Sequence, residues 1–134
     1  MRVVVDTNIF VSSFFGGKPK EIIDLWKKGR IILCLSSEIL DEYIEVLQRL
    51  GLKNEKELEE LLSFLSKGIH ILFTKKTPEL HLIRDDPGDD KFVECAVELN
   101  ADYIISGDKA LQALEEYMGI RILTARKFLE SINK

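Results

Sequence analysis

The chain has 134 residues, 46% of them apolar and 31% charged, with a formal net charge of −4 at pH 7. This length and apolar content suit one core, so a single domain over residues 1–134 is expected. Net negative charge argues against non-specific adhesion to DNA, which depends on accumulated Lys and Arg. The longest apolar stretches, such as 31–35 and 69–73, fall far short of the roughly 20 residues needed to cross a bilayer.

The β-branched run Arg2-Val3-Val4-Val5 reads as a buried parallel strand that stops abruptly at Asp6. Pro19 suits the first turn of a helix whose Ile22, Ile23, Leu25 and Trp26 face inward and which ends at Gly29. Residues 31–35 form a second strand. Ser36 and Ser37 are candidate caps for a helix carrying Ile39, Tyr43, Leu47 and Leu50, which Gly51 stops. Asn54 with Glu57 resembles a capping box, and Leu58, Leu61, Leu62 and Leu65 then repeat at helical spacing up to Gly68. A third strand is expected over 69–73, a loop over 78–88, a helix over 89–99, a fourth strand over 103–106 and a helix over 109–117. A short fifth strand follows over 120–123, and Thr124 caps a last helix through Phe128 and Leu129. The alternation predicts a three-layer α/β/α sandwich around a mostly parallel sheet of about five strands.

Cys34 and Cys95 have neither metal-ligand spacing nor the density of a disulfide scaffold, and are expected to be buried reduced thiols of a cytoplasmic protein. The chain starts as a strand rather than as a secretory signal.

Four acidic residues stand where strands hand over to helices or within the helices that follow: Asp6, Glu42, Asp90 and Asp108. Open parallel sheets bind ligands at the carboxyl ends of their strands, so two strand ends offer carboxylates to one crevice. Each also has a plain structural reading. Asp6 is suited to a turn, and Asp108 to capping the next helix. Glu42 shares a helical row with Ile39 and Val46, so it either meets a cation or sits at a solvated edge. The segment from Arg84 to Phe92 holds four carboxylates in six positions. The helix dipole accounts for one or two of them, since negative charge in a first turn is stabilised by roughly 0.3–1 kcal/mol. Asp90, one turn before Val93, points toward the sheet, whereas Asp89 is placed to cap.

His70 and His81 form no helical pair and have no Cys neighbour, which argues against zinc catalysis. Hard carboxylate ligands alone select Mg²⁺ or Mn²⁺. Lys18, Lys20, Lys27, Lys28, Arg30, Arg84 and Lys91 are candidates to line an approach for phosphates, or form ordinary solvated faces.

Four motifs in order, over nearly the whole chain, resemble the PIN-domain nucleases. They are Asp6-Thr7-Asn8 closing the first strand, Glu42 in Ser37-Glu38-Ile39-Leu40-Asp41-Glu42, Asp90 in Asp89-Asp90-Lys91-Phe92-Val93-Glu94-Cys95-Ala96, and Asp108 in Ser106-Gly107-Asp108-Lys109-Ala110-Leu111. The chain is most similar to small prokaryotic PIN proteins of toxin–antitoxin pairs. The resemblance implies an endoribonuclease that hydrolyses single-stranded RNA with one or two Mg²⁺ or Mn²⁺ ions on Asp6, Glu42, Asp90 and Asp108. It also implies that Asn8 and Ser106 orient the ligands. Arg84, Lys91 and Lys109, neighbours of the acids in sequence, are candidate contacts for flanking phosphates. A small antitoxin and self-pairing into a homodimer belong to the same picture. Two other readings stand beside it: a catalytically silent PIN-like scaffold for RNA or protein, and a Mg²⁺-dependent phosphotransfer module, for which the acid expected two residues after Asp6 is absent.

Overall fold

The structure, a computed structural model, describes residues 1–51 and 55–133. The strands are β1 (Arg2–Val5), β2 (Ile32–Ser36), β3 (Ile71–Thr74), β4 (Tyr103–Ile105), β5 (Glu116–Tyr117) and β6 (Ile120–Leu123). The helices are α1 (Thr7–Ser12), α2 (Gly17–Lys27), α3 (Ser37–Leu50), α4 (Glu55–Lys67), α5 (Asp90–Glu98), α6 (Lys109–Gln112) and α7 (Ala125–Ile132), with single 3₁₀ turns at Ser13–Phe15 and Pro87–Asp89. Asn54 of the proposed capping pair with Glu57 lies outside the described residues.

The strands form one sheet in the order β3-β2-β1-β4-β6-β5, parallel except for the β5–β6 pair. Val3, Val4 and Val5 are all fully buried, and so are Leu33 with Cys34 and Ile104 with Ile105. Successive residues of a strand point to opposite faces, so burial of consecutive side chains requires helices on both. They make the α/β/α sandwich: α5 lies across β1, β2 and β4, while α2 packs against α7. Chain order runs outward from β1 to β2 and β3, then returns to β4 on its other side, and the reversal opens a crevice between the carboxyl ends of β1 and β4. Among the described residues no helix is long and apolar enough to cross a membrane.

One expectation fails. The helix expected over 109–117 ends at Gln112, and the chain instead turns into β5, which pairs with β6 as a hairpin and brings the sheet to six strands. Glu115 reverses the chain with φ 58°, and Met118 and Gly119 form the two-residue hairpin loop with φ 51° and 82°. Positive φ at both loop residues matches the twist of a hairpin. Leu111 is buried by the short helix, and Ile122 N–H donates to Glu115 O at 2.9 Å, which ties the reversal to the sheet.

Helix α3 is positioned with particular care. Ser36, the last residue of β2, caps it by accepting from Ile39 N–H at 3.2 Å, and Gly51 ends it in the left-handed conformation at φ 53°. Tyr43 is fully buried, stacks on Phe10 with ring centroids 4.0 Å apart, and donates its hydroxyl to Val5 O at the end of β1. The residue before it, Glu42, is thereby held over that strand end. The two thiols lie in the core as expected; burial pushes Cys34 up to about 11 and Cys95 to about 12. His70 is a packing residue, its Nδ1 3.0 Å from Trp26 O and its ring against Gly29.

Tyr43→Phe keeps the stacked ring and removes one buried hydrogen bond. The expected cost is about 1 kcal/mol in urea denaturation, with the slope of the transition unchanged.

Candidate metal centre

Asp6 leaves β1 and immediately caps α1, its Oδ1 accepting from Ile9 N–H at 2.8 Å. Its Oδ2 accepts from the hydroxyl of Ser106, which leaves β4 and is fully buried. The same Ser106 oxygen accepts from Asp108 N–H at 3.0 Å. One hydroxyl therefore locks the two strand ends in register. Asp108 in turn caps α6, accepting from Ala110 N–H at 2.7 Å. The cap expected of Asp108 is seen, Asp6 caps a helix where a turn was expected, and both carboxylates still face the crevice between the strands, a cleft of about 250 Å³. Capping occupies one oxygen of each and leaves lone pairs free.

Glu42 enters the cleft from α3. Its Oε1 accepts from the buried Thr7 hydroxyl and its Oε2 from the Lys91 ammonium. The cation demanded by a carboxylate on a half-buried helix face is supplied by the chain itself. Lys91, proposed from its position as a phosphate contact, is engaged with Glu42 instead. Arg84 and Lys109 are exposed.

The two adjacent aspartates at the start of α5 do not make the contacts expected of them. Asp90 points inward and is buried, but its Oδ1 accepts from the backbone N–H groups of Leu82, at 2.9 Å, and Ile83, at 3.0 Å. Glu94, one turn later, accepts from Leu80 N–H at 2.9 Å. Asp90 and Glu94 thus anchor the loop before α5, and Asp90 is not among the residues lining the cleft. Asp89 makes no capping bond and lines the cleft with Asp6, Glu42 and Asp108. Oxygens of Asp86, Asp89 and Asp108 lie within 4.8 Å of one another. Arg49, which no motif singled out, lines the same cleft, as does the expected Asn8. Asp90 is buried as its helical position predicts, and loop amides rather than the cleft meet its Oδ1.

Electrostatics mark Asp89. Burial first, then the neighbouring Asp108 carboxyl and the charges of Asp86 and Asp6, push its carboxyl up to about 7. Its Oδ2 is buried and is the one such side-chain atom without a hydrogen-bond partner among the described residues. Asp6 is raised as well, by burial, against the opposing hydrogen bonds from Ser106 and Ile9 and with the charges of Asp108 and Glu42 adding. An oxygen-only donor set with a buried, unpartnered carboxylate oxygen fits a hard divalent cation such as Mg²⁺ or Mn²⁺.

By contrast, Lys20 pairs with Asp24 at 3.0 Å and Lys27 with Glu60 at 3.2 Å, as on an ordinary charged helix face.

A carboxyl whose folded value lies above its unfolded one stabilises the fold below the unfolded value, and that contribution is lost as pH rises through the folded value. For Asp89 the window runs from about 4 to about 7. In EDTA at pH 8, Asp89→Asn is therefore expected to melt a few degrees above the parent, with the gap closing at pH 4. Asp90→Ala is expected to melt lower at both pH values, since it strands two loop amides at a cost of about 1.5–3 kcal/mol. Thermal melts of the three proteins at the two pH values check both signs.

A family model described as PIN domain matches residues 2–110, from the start of β1 into α6, and so takes in every acidic residue of the cleft. A search of curated proteins finds no match. With the match running over most of its length, the chain belongs to the PIN domain family.

Proposed function

We propose that the protein is a Mg²⁺- or Mn²⁺-dependent endoribonuclease that hydrolyses phosphodiester bonds of single-stranded RNA, with Asp6, Glu42, Asp89 and Asp108 as its metal-binding set. PIN domains are typically nucleases, and the reading extends that activity to a metal, a substrate and named ligands. The single observation that carries it is the unpartnered Asp89 oxygen among convergent carboxylates. Asp90 is assigned to loop anchoring in this reading.

A divalent ion bound there would neutralise charge growing on the scissile phosphate and acidify a water. The chain's own residues do the rest. Ser106 fixes Asp6 relative to Asp108 through two hydrogen bonds, so both acids are held before any ligand arrives. Tyr43 and Thr7 fix Glu42. The cleft is lined by carboxylates, an amide and an engaged hydroxyl, which leaves water as the attacking group. Arg49 in the cleft, with exposed Arg84 and Lys109, is suited to hold flanking phosphates.

The likeness to toxin-type PIN proteins extends the proposal to a nuclease silenced by a small protein that covers the cleft. It also extends it to pairing of two chains. Exposed Ile44 and Leu50 on α3 and Leu62 on α4 support the pairing.

A labelled single-stranded RNA incubated with Mn²⁺ or Mg²⁺ is expected to be cut, and EDTA to stop the cutting. Asp89→Asn and Asp108→Asn are each expected to lose about 100-fold or more, which exceeds the usual effect of residues that only orient ligands. Asp90→Asn keeps an oxygen that can accept from both loop amides and is expected to stay within about tenfold of the parent. Cleavage that survives EDTA, or that depends on Asp90 and not on Asp89, would overturn the assignment.

A further inference from the structure

Among the described residues, Lys91 is the one basic side chain paired directly with an acid of the cleft. Its side chain is 17% exposed, and its ammonium lies 5.8 Å from the Phe92 ring centroid, so it is held rather than waving in solvent. It donates to Glu42 Oε2 while Thr7 donates to Oε1, and every oxygen of Glu42 is thereby engaged. Asp89, with an orphaned oxygen, stands in contrast. The cleft thus has two sides: a Glu42 side already neutralised by an internal cation, and an Asp89–Asp108 side that is not.

Resting on the metal-binding reading above, we propose that Lys91 is a built-in competitor for the metal: its ammonium satisfies Glu42 in the metal-free protein and must withdraw before Glu42 joins a divalent ion. Two physical arguments carry this. An ammonium and a divalent ion cannot share one carboxylate without mutual repulsion, and a few ångströms of separation, even at the dielectric of water, changes a dissociation constant about tenfold. A half-buried Glu42 left without any cation would also be destabilised by its neighbour Asp6, so the metal-free fold gains from Lys91 what the metal-bound form loses to it. Lys91 therefore couples metal affinity to stability in opposite directions.

The test uses the whole chain and two readouts that do not depend on RNA cleavage. By calorimetry with Mn²⁺ alone, Lys91→Met is expected to bind about tenfold more tightly than the parent. In EDTA it is expected to melt at lower temperature. On the unsubstituted protein, reductive methylation followed by mass spectrometry is expected to modify Lys91 slowly in EDTA and several-fold faster in saturating Mg²⁺; this arm stands even if the variant does not fold. Equal or weaker Mn²⁺ binding by Lys91→Met, or a Lys91 methylation rate indifferent to Mg²⁺, would overturn the competitor role while leaving the metal site intact. Absence of Mn²⁺ binding to the parent would instead overturn the metal-site reading and the competitor role together.

Discussion

Carboxylates packed at one edge of a sheet repel one another, and most of the local structure around the cleft works against that repulsion. Two strand ends supply Asp6 and Asp108, and a single buried hydroxyl, Ser106, donates to the first and accepts from the backbone of the second. A lysine neutralises Glu42, while backbone N–H groups at two helix starts meet Asp6 and Asp108. Asp89 is left over, and burial, with the neighbouring Asp108, Asp86 and Asp6 carboxyls adding to it, pushes its carboxyl up to about 7. Among the buried side-chain oxygens of the described residues, Asp89 Oδ2 is the one that the chain's own hydrogen bonds leave unsatisfied, an arrangement suited to a cation.

The start of α5 divides labour among carboxylates that look alike. Asp86 and Asp89 face Asp108, Asp90 accepts two loop amides, and Glu94 accepts a third. The loop over 75–86 has no regular structure of its own, so its backbone donors need partners, and the buried face of α5 provides them. Acid-rich composition here thus serves two ends at once. One pair of side chains holds the loop, and the others shape the cleft that the loop borders.

How legible was this from the residues alone? Strands such as Val3-Val4-Val5 and Tyr103-Ile104-Ile105 were plain, because an apolar β-branched run with polar neighbours on either side has few other homes. Ser36, Asp108 and Thr124 were recognisable as caps, and each accepts from a backbone amide two or three residues on; Asp6, read as a turn residue, caps a short helix as well. The β5–β6 hairpin was not, since Met118 occupies a left-handed turn position normally marked by Asn, Asp or Gly, and helical spacing of Leu111 and Leu114 invited a longer helix.

At the site, chain order and strand ends are local properties, so the sequence by itself determined that Asp6 and Asp108 would offer carboxylates to one crevice and that Glu42 would either meet a cation or sit at a solvated edge. Tertiary structure alone decided which cation meets Glu42 and which of two adjacent aspartates faces the cleft. The first depends on how α3 and α5 are packed, which brings Lys91 across 49 residues of sequence. The second depends on where the loop before α5 lies, because Leu82 and Ile83 present their amides to Asp90 and leave Asp89 to the crevice. Helical periodicity reports which side chain is buried, but what a buried carboxylate bonds to is set by backbone that only the folded chain brings near.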